Sequence, residues 1–141
     1  EGMLGVIIKN PPLFKEEILS VNSNWFDALT AVIIDRLKST NLSNFNFDQF
    51  VNSFDAPTSL KVEFIRLKSQ ELLGNFNDQE LKSEFEHLKN RLEQKSLVAN
   101  LASLEIDIKE AESQKDRTRL SVLLAEFNDF TQKLNVKKEK I

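Results

Sequence analysis

The chain has no cysteine and no tyrosine, and only three glycines, three prolines, one tryptophan and one histidine among 141 residues. Without cysteine there are no disulfides and no thiolate metal ligands, which fits a cytoplasmic protein. The single imidazole, His87, stands among Glu84, Glu86 and Arg91 and reads as a solvated helix residue rather than a zinc ligand. Gly2, Gly5 and Gly74 lie too far apart to form a glycine-rich phosphate loop. No apolar run approaches the ~20 residues of a membrane helix. No basic segment followed by an apolar run marks a signal peptide. The start at Glu1 rather than methionine leads us to expect a piece of a longer protein.

Charge of one sign is scarce as well. Net charge is −3, from 19 basic and 22 acidic side chains. A surface made to neutralise phosphates carries a basic patch. The one dense basic cluster is Lys137, Lys138 and Lys140, which reads as a solvated chain end. Glu80 with Glu84, and Glu105 with Glu112, mimic paired catalytic carboxylates, but Lys82, Lys89 and Lys109 among them mark exposed helix faces. No nucleophile, base and orienting group fall in one place. The chain is therefore expected to be no enzyme, to need no cofactor or metal, and to bind no nucleic acid directly.

What is present is helical periodicity. All glycines and prolines precede Asn75, which predicts an N-terminal bundle of short helices followed by long ones. Leu4, Ile7 and Ile8 form a stripe stopped by Asn10, Pro11 and Pro12. A second helix fits Leu13 to Leu19. Ser23 is placed to cap a third, with Trp25, Leu29, Val32, Ile33 and Leu37 as its buried face. Phe47, Phe50, Val51 and Phe54 give a fourth. Pro57 opens a fifth, carrying Leu60, Phe64, Leu67 and Leu72, and Gly74 ends it. The eleven phenylalanines follow helical spacing among Asn, Asp and Gln, a pattern of core packing rather than base stacking.

Asn77 and Glu80 form a capping box for a sixth helix with the stripe Leu81, Phe85, Leu88 and Leu92. The stripe would continue at Ser96 but resumes at Leu97, a rotation of about 100°. Either the helix is continuous and buries different faces in its two halves, or it breaks near Gln94 to Ser96; a long helix is favoured. On this reading the chain divides into a bundle over 1–94 and a hairpin over 95–141.

The hairpin is the clearest feature. Leu97, Leu101, Leu104, Ile108 and Ala111 recur at helical spacing, and so do Leu120, Leu123, Phe127, Phe130 and Leu134. If the chain reverses between Lys115 and Asp116, Ala111 meets Leu120, Ile108 meets Leu123, Leu104 meets Phe127, Leu101 meets Phe130 and Leu97 meets Leu134. Asp116 is placed to cap the second arm, and Lys133, Lys137, Lys138 and Lys140 suit the negative end of its dipole. Away from this seam run Ala99, Ala102 and Ile106 on the first arm, and Val122, Ala125, Asp129, Gln132 and Val136 on the second. The fold class is all-α: short helices, a long helix and a terminal antiparallel hairpin.

The opening Glu1-x-x-Leu4, continuing Ile7-Ile8-Lys9-Asn10-Pro11, resembles the start of the C-terminal domain of bacterial DnaG-type primases. So does the order of parts, with Leu101, Leu104, Glu105 and Ile106 on the long helix and a basic end after the hairpin. The resemblance spans essentially the whole chain and rests on helix order and apolar pattern. It implies a helicase-binding module, whose hairpin docks on the N-terminal domains of the hexameric replicative DNA helicase and couples primer synthesis to unwinding. The parent chain would then be a primase. With that implication, Ile106, Val122, Asp129 and Val136 become candidate contacts, Glu126 and Lys133 rim charges, and Phe130 a lesser candidate at the seam edge. The N-terminal assembly domain of the helicase is similar in architecture, but the prolines after the first helix and the lysine-rich end look more like primase. A nucleic-acid-binding accessory domain is a third reading, opposed by the acidic net charge.

Overall fold

The computed structural model describes residues 2–139, with side chains to Lys137. Six α-helices account for most of the chain: α1 (Gly2–Lys9), α2 (Ala28–Lys38), α3 (Phe47–Asn52), α4 (Ala56–Leu73), α5 (Asp78–Ser113) and α6 (Arg117–Glu139). Single 3-10 turns link the first of them, and no strand occurs among the described residues. The all-α order of short helices, long helix and terminal hairpin is the observed one. The chain forms two compact units, Glu1–Lys89 and Asn90–Ile141. Helix α5 is continuous over 36 residues, through the point where the apolar stripe changes phase. Its first turns belong to the first unit and the remainder to the second.

Side chains that satisfy orphan N–H groups fix the helix starts. The Thr30 N–H donates to Asp27 Oδ1 at 2.8 Å at the start of α2, which holds the Asp27 carboxyl below its ordinary pKa. The Gln49 N–H donates to Asn46 at 3.1 Å before α3, and the Thr58 N–H to Asp55 at 3.0 Å before α4, where Pro57 occupies the first turn. At α5 the expected capping box is complete. The Glu80 N–H donates to Asn77 Oδ1 at 2.8 Å, and the Asn77 N–H to Glu80 Oε1 at 3.0 Å.

In the first unit α1 is buried from Met3 to Ile8, as a helix apolar on all sides must be. The chain beyond it is tighter than periodicity predicts. In place of one helix over Leu13 to Leu19 there are two 3-10 turns, Pro11–Phe14 and Glu17–Ser20. They bury Phe14 and Ile18 and leave Leu19 exposed. Two successive prolines lack N–H donors, and the segment is too short to sustain an α-helix without them. Ser23 does not cap α2. It opens a further 3-10 turn capped by Asn22, and Asp27 takes the capping role. The buried face of α2 is Thr30, Ile33, Ile34 and Leu37; Val32 is exposed, and Trp25 and Leu29 are half-buried.

The largest departure is α4. Its expected core stripe of Leu60, Phe64, Leu67 and Leu72 faces solvent, and Thr58, Val62, Ile65 and Ser69 are buried instead. This face carries the small Ser69 where α4 approaches α1 closely at Gly5. The Ser69 hydroxyl donates to the Gly5 carbonyl at 2.6 Å, and a β-carbon built on Gly5 would lie 3.6 Å from the Ser69 β-carbon. Leucine or phenylalanine at this crossing would drive the helices apart. A methyl just fits. Gly5→Ala should therefore be neutral or stabilising, by up to about 1 kcal/mol from helix propensity, whereas Gly5→Leu should lower the melting temperature of the unit clearly. Equal melting temperatures for the two variants would contradict the close crossing.

The second unit is the hairpin. Leu104, Ala111 and Leu123 are buried together, with Ile108, Leu120, Phe127 and Phe130 packed against them. Leu134 is also buried, and Leu97 and Leu101 are half-buried. Ion pairs join the arms, among them Glu110 with Arg119 at 3.8 Å near the turn and Glu93 with Lys137 toward the open end. Lys140 and the side chain of Lys138 lie outside the described residues. The turn itself is a Schellman motif. The Lys115 N–H donates to the Glu112 carbonyl at 3.1 Å and the Asp116 N–H to the Ala111 carbonyl at 3.0 Å. Asp116 then accepts the Arg119 N–H at 3.1 Å, so one residue closes α5 and caps α6. Lys115 adopts the left-handed conformation (φ 56°), which a β-carbon disfavours. Lys115→Gly should stabilise the hairpin by up to about 1 kcal/mol, read as a higher midpoint of helix melting. An unchanged or lower midpoint would show that the lysine carries no such penalty.

Candidate protein-interaction surface

The hairpin seam uses the large apolar residues of α6 that face α5, and Val122, Leu124 and Val136 on the rest of that helix are exposed. Val122 and Val136 are 55% and 51% exposed. At about 100° per residue they lie on the side of α6 turned from the seam. Glu126, Asp129 and Lys133 stand between them, all exposed. The Lys133 ammonium lies 3.1 Å from Asp129 Oδ2 one turn earlier and 5.5 Å from the centre of the Phe130 ring. Such an exposed pair adds little stability and holds both side chains along the flank. Phe130 belongs to the seam, half-buried against the Leu104, Ala111 and Leu123 cluster.

The structure thus gathers Val122, Glu126, Asp129, Lys133 and Val136 on one flank of α6, with Phe130 at its inner edge. Ile106 is not part of that group. It is 68% exposed on α5, and two residues beyond buried Leu104 it points about 200° from the seam. In an antiparallel pair the outward sides of the two arms face opposite directions. A single groove could therefore hold the valines of α6 or Ile106, not both.

The carboxylates that mimic catalytic pairs have other places. Glu80 is committed to the Asn77 cap, while Glu105, Glu112 and His87 are exposed on α5. Among the described residues no group of three or more His, Asp or Glu side chains is arranged to hold a metal, and no helix is long and apolar enough to cross a membrane.

Sequence reasoning missed a second surface. Leu60, Phe64 and Leu67, core residues by their spacing, are 67%, 52% and 64% exposed along α4. The signal was in the sequence: Gly5 in α1 and Ser69 in α4 are small residues that let the two helices approach closely. No family model matches this chain, and neither a curated protein nor a solved structure matches it.

Proposed function

We propose that this chain is a non-catalytic interaction domain that joins a bacterial primase to the N-terminal domains of the hexameric replicative helicase, with the outer flank of α6 as its contact. The observation that carries the reading is the exposure of Val122 and Val136 on a helix whose opposite face is already used by the seam. An amphipathic helix recognised in a groove presents such anchors one or more turns apart, and the interspersed Glu126, Asp129 and Lys133 supply a charged rim. The sequence resemblance supplies the identity of the groove.

In this role the domain contributes no chemistry of its own. It raises the local concentration of primase at the unwinding fork, so primer synthesis follows strand separation. Rim charges govern encounter rate and salt dependence, and the valines govern lifetime. The test is a titration of the labelled chain with isolated helicase N-terminal domains at low and moderate salt. Saturable binding that persists at moderate salt is expected. No binding at either salt would remove the helicase from consideration, and binding confined to low salt would mean that the apolar anchors are not used.

A further inference from the structure

Helix α4 carries an apolar stripe that the fold of its own unit leaves unused. Leu60, Phe64 and Leu67 follow one another at spacings of 4 and 3, with Pro57 and Glu71 at the same phase to either side. This is the a/d rhythm of a two-helix seam, and more than half of each side chain is open to solvent. Lys61 and Lys68 run along one edge of the stripe and Glu63 along the other. The Lys68 ammonium sits 5.2 Å from the centre of the Phe64 ring, at the edge of the apolar surface.

We propose that this stripe pairs with its counterpart in a second copy of the chain, the two α4 helices lying side by side and parallel. The charges choose both the occupant and the direction. In a parallel pair, a residue on one edge meets the residue five positions later on the opposite edge of its neighbour. Glu63 of one copy then faces Lys68 of the other, twice by symmetry, on either side of the Phe64 and Leu67 layers. In an antiparallel pair like edges meet, and Lys61 and Lys68 of the two copies would repel one another. The seam ends where Glu71 would face itself. An interface this short is small for a protein pair, so the dimer is weak and reversible.

The test uses the full chain in sedimentation over a wide concentration range. A concentration-dependent dimer is expected, lost in Phe64→Asp with the helix content unchanged. Glu63→Lys and Lys68→Glu should each weaken association by about tenfold, and an equimolar mixture of those two variants should associate as wild type does, because both cross-pairs become attractive. Direction is read separately. Because the chain has no cysteine, Glu71→Cys offers a single thiol, which oxidises to a covalent dimer in a parallel pair. In an antiparallel pair position 71 would lie opposite position 57, about 21 Å from its own copy. A chain that stays monomeric at the highest concentration overturns the proposal. So does a dimer that survives Phe64→Asp, a mixture of charge variants that fails to associate, or a Glu71→Cys variant that dimerises without crosslinking.

Discussion

Replacing Phe85 with alanine should unfold the first unit at or near physiological temperature. Phe85 and Phe14 are both fully buried, and their rings stack with centroids 5.0 Å apart and planes 25° from parallel. Phe85 belongs to the first turns of α5 and Phe14 to the 3-10 turn after α1, so the stack ties segments far apart in sequence. Truncation removes the ring–ring contact and leaves a cavity that rigid neighbours fill only in part. Losses of about 3–5 kcal/mol follow from such changes in well-packed cores, a large fraction of the stability of a domain this size. Trp25, the single tryptophan, lies in this unit and reports its state without interference from the hairpin. Its fluorescence should show a much lower unfolding midpoint in denaturant. A midpoint within a few tenths of a molar of wild type would mean the stack is not part of the core.

The second large effect belongs to the hairpin. Leu104→Ala should cost about 2–5 kcal/mol in principle, toward the lower end because a two-helix element relaxes around the gap. Even that loss is decisive. Leu104 packs with Ala111 and Leu123 in a small buried cluster that Ile108, Leu120, Phe127 and Phe130 cover in part. A core this small holds little in reserve. Far-UV circular dichroism should fall by the share of helix contributed by the arms, while Trp25 fluorescence stays as in wild type. Full helix content and an unchanged thermal midpoint would contradict the seam. Loss of both signals together would contradict separate cores in the two units.

The hairpin was legible in the sequence because its two stripes agree with each other. One register pairs Ala111 with Leu120 and Leu104 with Phe127 at once, and local turn chemistry at Asp116 points to the same reversal. Consistency across levels makes such a segment readable. The capping box of Asn77 and Glu80 and the placement of Pro57 were legible for the same reason. Helix α4 was not. It carries two stripes at helical spacing, and the one with the larger side chains, Leu60, Phe64 and Leu67, is the one left exposed. The choice depended on how closely a distant helix approaches, which Gly5 decides from elsewhere in the chain. Periodicity along one element contains no such information. The 3-10 turns after Pro11 were hidden in a similar way, since Phe14 and Ile18 lie four apart, a helical spacing that the prolines do not allow the backbone to complete. The candidate contacts on α6 were found as outward residues, but their separation from Ile106 needed both arms in place.

The proposed role stands or falls on the outer flank of α6 being a binding surface rather than a solvated one. The direct measurement compares wild type with a Val122→Asp, Val136→Asp double variant in titration against helicase N-terminal domains. Both positions are exposed and off the seam, so helix content and melting temperature should match wild type. Under those conditions binding should be abolished, since each carboxylate would be forced into an apolar contact without a counter-charge. A correctly folded double variant that binds with wild-type affinity would show that this flank is not the contact surface.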